Sequence, residues 1–128
     1  MNMDGNFATL LNCMDGRTQL PAINWIRENF DVDYVDIISE PGIDRVIAVK
    51  DRTFMNSLDK KMDISLNSHG SNIIFVAGHH DCAGNDTDRA GHIRHIKASV
   101  EILENLYKGV PVIGLWINEI FEVERIPG

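Results

Sequence analysis

At 128 residues, with a formal net charge of −7, 44% hydrophobic and 24% charged residues, the chain can bury one core but not two, so a single domain over 1–128 is expected. The balance excludes disorder, and an acidic surface without a run of Lys or Arg disfavours nucleic acid or an anionic membrane surface as partner. The opening MNMDGNFATLLNC lacks the basic region and long apolar run of a signal peptide, and no segment approaches the roughly 20 apolar residues of a spanning helix. The expected compartment is the cytoplasm. There, two cysteines are a buried thiol, a reactive thiol or a metal ligand before they are a disulfide.

Phe7 to Leu11 is a short apolar run bounded by Gly5 and Asn6 before it and a polar CMDGR cluster after it, which predicts a buried first strand. From Thr18 to Phe30, Leu20, Ile23, Ile26 and Phe30 recur at three to four residues, with Pro21 near the start where a missing N–H does no harm; this predicts a helix. Val32 to Ser39 is β-branched and aromatic and stops at Pro41-Gly42, predicting a second strand. IDRVIAVKD, from Ile43, fits a strand or a helical turn equally. Beyond it Phe54, Leu58, Met62 and Leu66 form one stripe of a helix ending near Asn67 to Gly70. Asn72 to Gly78 is apolar on both faces, as a central parallel strand is. Asp86 to Lys108 predicts a helix with Ile93, Ile96, Val100, Leu103 and Leu106 on one side, and VPVIGLWIN with IFEVERI predicts a closing antiparallel hairpin. The alternation implies an α/β fold: a mainly parallel open sheet of about four strands plus a C-terminal antiparallel strand, with helices on its faces.

In such sheets ligands gather at the carboxyl ends of the strands, near a switch in strand order. Cys13 follows the first strand, and Gly78 to Gly84, GHHDCAG, begins at the end of the strand over 72–78. His79 and Cys82, three residues apart in a turn leaving a strand, can converge with Cys13 on one centre. Two thiolates and an imidazole suit Zn2+, and three protein ligands leave a fourth position open. Taken singly, each residue also has a plain reading: a small core cysteine, or a hydrogen-bonded turn histidine. Asp15 and Arg17 could be a surface ion pair, and Asp15 could cap the helix beginning near Thr18. His80 is a candidate proton relay or an exposed loop histidine. His92, His95 and His69 read as helix-surface residues.

Cys13-Met14-Asp15-Gly16-Arg17 followed by Gly78-His79-His80-Asp81-Cys82 resembles the β-class carbonic anhydrases, with their Cys-x-Asp-x-Arg motif after the first strand and His-x-x-Cys motif after the third. The resemblance runs from about Phe7 to the C-terminus, and VIGLWINEIFEVERI is similar to the family's final strand pair. It implies a β-carbonic anhydrase-like fold in a short, divergent member, with one zinc ion held by Cys13, His79 and Cys82. Asp15 and Arg17 would be the dyad at the open position. There the aspartate either accepts a hydrogen bond from zinc-bound water or swings in as fourth ligand. The implied reaction is reversible hydration of CO2 to bicarbonate by zinc-bound hydroxide, in a homodimer or higher homo-oligomer. Two departures bear on this. Ser39-Glu40-Pro41-Gly42 stands where many members have an Arg-Asn-Ala-Gly-like segment, bringing a carboxylate that would repel bicarbonate if it points inward. The first strand also begins without the N-terminal helices that embrace a partner subunit. The alternatives are a zinc hydrolase of carbonyl sulfide or carbon disulfide, and a non-catalytic zinc-binding homologue. A redox thiol pair ranks last, because the two cysteines form no Cys-x-x-Cys.

Overall fold

A computed structural model describes residues 5–127, so the N-terminal reading of residues 1–4 lies outside the described residues. Strands β1 (Phe7–Asn12), β2 (Tyr34–Ser39), β3 (Ile74–His79), β4 (Val112–Ile117) and β5 (Val123–Ile126) form one sheet in the order β2-β1-β3-β4-β5. All neighbours pair in parallel except β4 with β5, the antiparallel hairpin foreseen at the C-terminus. From β1 the chain passes to β2 on one side and then crosses back over β1 to β3 on the other. The switch in strand order therefore lies between β1 and β3. With Leu11 beside Val76 in the register, the carboxyl ends of these two strands open into one crevice.

The sheet is filled on both faces. Ala8, Leu10, Phe75, Ala77 and Leu115 pack with Ala22 and Ile26 of helix α1 (Gln19–Asn29). Leu11, Ile74 and Val76, pointing the other way by strand alternation, pack against helices α2 (Ile43–Ala48), α3 (Arg52–Asp63) and α4 (Arg89–Leu106). Every residue of β3 is buried, as the unbroken apolar run requires.

The open segment after Gly42 is helical. Gly42 enters the left-handed region at φ 59° and reverses the chain, and Ile43 and Ile47, four apart, are buried on one face of α2. Packing there overrides the strand preference of β-branched residues. Asp51 caps α3 by accepting from the Phe54 N–H at 3.0 Å, and the expected Phe54, Leu58 and Met62 stripe is buried. Leu66, the fourth residue of the stripe, is partly buried against the same cluster. The chain widens into a π-turn over Ile64–Ser68 that buries Ser65, whose Oγ lies 2.6 Å from Thr9 Oγ1 and donates to Asp36 at 2.8 Å. In α1, Leu20 is exposed, and Ala22 and Ile26 carry the contact. Leu106 at the end of α4 is likewise exposed.

Two histidine expectations fail. His69 is not a free surface group but sits 2.6 Å from Asp36 Oδ2. His92 is 1% exposed and points inward from α4, 2.6 Å from Asp44 Oδ2. Spacing along α4 places His92 with Ile96, Ser99 and Leu103, so it belongs to the buried stripe. No helix among the described residues is long and apolar enough to cross a membrane.

Candidate metal centre

Cys13 lies one residue past β1, His79 is the last residue of β3, and Cys82 is three residues further on. Topology thus brings together residues 69 positions apart. Cys13, His79 and Cys82 are 4%, 3% and 5% exposed, and one ligand atom from each lies within 4.8 Å of the others. The two sulfurs are 3.9 Å apart and unbonded. Two thiolates about 2.3 Å from one ion at the tetrahedral angle stand about 3.8 Å apart. The spacing is that of a metal pair. His79 Nδ1 lies 2.8 Å from the His80 carbonyl oxygen, to which it can only donate, so the ring carries its proton there and its lone pair on Nε2. That Nε2 is buried without a hydrogen-bond partner. A buried imidazole lone pair beside two thiols is what a cation would satisfy.

The charges agree. The Cys82 S–H beside Cys13 lowers the Cys13 thiol well below its ordinary value; burial opposes this, while His79 and the backbone N–H groups of Gly42 and Asp15 reinforce it. Cys82 is pushed up, first by the neighbouring Cys13 sulfur and then by burial, against the N–H groups of Gly84 and Asn85. The pair shares one proton because two adjacent thiolates repel. A divalent cation between them would displace that proton. Burial lowers the affinity of His79 for a proton, but the Cys13 sulfur and the His80 carbonyl outweigh it and the net shift is upward.

Beside the three residues, Arg17 grips Asp15 from several directions. Its Nη2 donates to Asp15 Oδ2 at 2.6 Å, its Nε to Oδ1 at 3.0 Å, and its backbone N–H to Oδ1 at 2.9 Å. The guanidinium holds the Asp15 carboxyl down to about 2. The ion pair forms, but Asp15 caps the short 3-10 turn Gly16–Thr18 and not the following helix α1, whose N-cap Thr18 makes no side-chain cap bond. Arg17 also reaches the second loop, donating from Nη2 to the Asp81 carbonyl at 3.1 Å, with Nη1 3.4 Å from Asp81 Oδ2. One side chain therefore spans both loops. His80 is exposed and its carbonyl, not its ring, touches His79.

Several positioning residues escaped the sequence reading. Gln19 Nε2 donates to the carbonyls of Cys13 and Asp15 at 2.8 and 3.0 Å, and Asn12 Nδ2 donates to Gln19 Oε1 at 3.1 Å. Asn12, polar at the end of an apolar strand, was the available signal. The Cys82 loop also touches the turn between β2 and α2: a Cβ on Gly42 would strike the Gly84 carbonyl group, and one on Gly84 would lie 2.6 Å from the Gly42 nitrogen. Gly42 is the one residue of Ser39-Glu40-Pro41-Gly42 that matches the resembled segment, and this contact is a reason for it. Away from these loops, a groove of about 510 Å³ lies between α4 and the β4–β5 hairpin and shares no residue with the site.

Sheet and cluster together define an α/β protein able to hold one metal ion at the switch point of its sheet. The fold is shared with solved structures. The β-carbonic anhydrase isoform I of the protozoan Trichomonas vaginalis is 18% identical, with a TM-score of 0.65 over 93% of this chain and 81% of that one. The carbonic anhydrase of Glaciozyma antarctica is 15% identical, with a TM-score of 0.63 over 94% and 81%. One of two tetrameric β-carbonic anhydrases from Sordaria macrospora is 12% identical, with a TM-score of 0.64 over 97% and 82%. At these identities the likeness is one of fold. No curated protein sequence matches. The family model described as "Putative carbonic anhydrase" matches residues 3–127, and the chain belongs to that family. The α/β, β-carbonic anhydrase-like architecture expected from the sequence is therefore the one found.

Proposed function

We propose that the chain is a zinc enzyme that reversibly hydrates CO2 to bicarbonate, with Cys13, His79 and Cys82 as ligands. The observation that carries the reading is the buried Cys-His-Cys cluster, sulfurs 3.9 Å apart, beside an Arg-held carboxylate in a carbonic anhydrase family. Zinc bound there supplies the Lewis acidity that makes water a nucleophile near neutral pH. The protein supplies the rest. Asp15, ionised at neutral pH as any ordinary aspartate is and held lower still by Arg17, can only accept a hydrogen bond; it would orient the water at the fourth position and take no proton from it. While held by Arg17, Asp15 would stay out of the ligand set; released, it could serve as a fourth ligand and close the site. Asp15 and Arg17 are in this reading the catalytic dyad. His80, exposed beside a ligand, is the proposed proton relay to solvent.

The proposed assembly is a homodimer or larger homo-oligomer. Edge strand β2 exposes Tyr34 and Ile37, apolar side chains that a second copy would cover. The proposed compartment is the cytoplasm, where ligand thiolates stay reduced. The test is stopped-flow CO2 hydration on zinc-quantified protein from about pH 6.5 to 9, bracketing the near-neutral pKa of zinc-activated water. Turnover rising with pH and lost in Cys82→Ser supports the reading. About one zinc per chain without turnover anywhere in that window would overturn it, and assays with carbonyl sulfide and carbon disulfide would then separate another substrate from a non-catalytic role.

A further inference from the structure

Behind the metal loops lies a buried polar network that the dyad does not use. Asp44, in the first turn of α2, is 1% exposed, as is His92 of α4. Asp44 Oδ2 accepts from His92 Nδ1 at 2.6 Å, and Asp44 Oδ1 accepts from Asn85 Nδ2 at 3.1 Å. The second hydrogen of the Asn85 amide goes to His95 Nδ1 at 2.9 Å. Ser99 Oγ donates to the Asp44 backbone carbonyl at 2.8 Å, fixing the helix that carries it. Both carboxylate oxygens are thus occupied, in a place where an unpaired charge would be costly.

The network's position gives it more than a packing role. Asn85 is three residues past Cys82, and its backbone N–H donates to the Cys82 carbonyl oxygen at 3.3 Å, closing the turn that carries this sulfur. Asp44 is two residues past Gly42, whose backbone packs against that of Gly84 in the same turn. The Asn85-Asp44 bond therefore ties the Cys82 turn to the start of α2, while the Glu40 N–H, donating to the Asn12 carbonyl at 3.4 Å, ties the chain that enters α2 to the residue before Cys13. Gly78, immediately before His79, leaves room for the junction: a Cβ there would lie 2.7 Å from Asp44 Oδ2 and 3.2 Å from His92 Nδ1. The Cys82 turn and the end of β3 that carries His79 rest on the same few atoms.

We infer that Asp44, Asn85 and His92 are positioning residues, a clamp that holds the Cys82 turn against α2 and the His79 end of β3 and so sets zinc affinity. The inference rests on the zinc reading above and adds to it a determinant of affinity outside the ligands and the Asp15-Arg17 pair. The variants follow from the hydrogen-bond pattern. Asn85→Ala removes the link, and Asn85→Asp sets a second carboxylate against Asp44. The double variant Asp44→Asn with Asn85→Asp restores it in reverse: the amide introduced at position 44 donates to the carboxylate introduced at position 85, and the amide oxygen accepts from His92. Ser99→Ala breaks a bond of the same helix without touching the link.

Zinc affinity, measured by competition with a chromophoric chelator, is the readout, because it needs no turnover; circular dichroism and thermal melts report folding. Asn85→Ala should weaken zinc binding about 10- to 100-fold, the range seen when groups behind metal ligands are removed, and Asn85→Asp should weaken it more. The double variant should return to within about threefold of the starting protein, a margin small beside the loss seen when such groups are removed. Ser99→Ala should lower the melting temperature with affinity unchanged. Unaltered affinity in both Asn85 variants, or a folded double variant that stays as weak as Asn85→Asp, overturns the clamp and leaves the zinc reading standing. Should Asn85→Asp fail to fold, affinity of the double variant against Asn85→Ala decides the matter in the same way. A starting protein that takes up no zinc removes the metal reading itself, and the clamp with it.

Discussion

Replacing Gly84 by Ala adds one methyl group at the point where the Cys82 loop meets the turn between β2 and α2. That Cβ would lie 2.6 Å from the Gly42 nitrogen and from the Pro41 carbonyl carbon, and ordinary contact begins at 3.4 Å. The loops must separate by about 0.8 Å, and the obstacles are backbone atoms that no rotamer change can move aside. Metal sites tolerate ligand displacements of about 0.2 Å, so even a fraction of this opening passed to Cys82, two residues before Gly84, would disturb the Cys13-Cys82 separation, now 3.9 Å. Overpacking of this kind costs about 1–3 kcal/mol. Read as zinc affinity, that is roughly 5- to 150-fold, since 1.36 kcal/mol is tenfold. Read as stability, it is a fall in Tm of roughly 3–15 °C for a domain of this size. Chelator competition and thermal melts of the zinc-loaded and metal-free protein measure both. Wild-type zinc affinity in Gly84→Ala would refute the claim that this glycine contact sets the ligand spacing.

Arg17→Met should free Asp15, leaving zinc content at one per chain while lowering turnover about 10- to 100-fold, as loss of a group orienting a metal site does; metal analysis beside stopped-flow assays checks it, and unchanged turnover contradicts the dyad role. The Tyr107 phenol, held up by burial and by the Asp59 carboxylate that accepts its proton at 2.6 Å, has a folded pKa above its unfolded value of about 10. Its contribution to stability is therefore complete below about pH 10 and fades as pH rises beyond it. Tyr107→Phe should be less stable than wild type by about 1 kcal/mol at pH 8, with the gap narrowing by pH 11 in urea melts; a constant gap contradicts this. Leu58→Ala, in the fully buried stripe of α3, should cost about 2–5 kcal/mol by urea denaturation. Since α3 carries no metal-loop residue, zinc affinity of the folded variant should not change.

The clustering of the three candidate ligands was legible in the sequence because ligand chemistry restricts residue types. Few side chains bind zinc, and two cysteines in 128 residues, each at the end of an apolar run, leave little to choose. The strands were legible for a related reason: a central parallel strand such as Ile74–His79 is buried on both faces and tolerates almost nothing polar. What escaped depends on tertiary contact. Six residues from Ile43 carry both strand and helix preferences, and only burial of Ile43 and Ile47 against the sheet decides between them. The π-turn after Asp63 buries Ser65 beside the partly buried Leu66, and no periodicity announces a wider turn. His92 was misread as exposed because its partner, Asp44, lies 48 residues earlier in a helix whose existence was open. The Gly42-Gly84 approach is invisible for the same reason, since each glycine alone reads as an ordinary turn residue.

The proposed CO2 hydratase activity requires one zinc ion at Cys13, His79 and Cys82. The most direct measurement is a zinc titration of the metal-free protein with CO2 hydration followed in the same samples at fixed pH. The account predicts turnover that climbs linearly and breaks at one equivalent per chain, with no such rise in Cys82→Ser. Zinc bound to one equivalent while hydration stays at the buffer rate, or hydration that rises equally in Cys82→Ser, would contradict it.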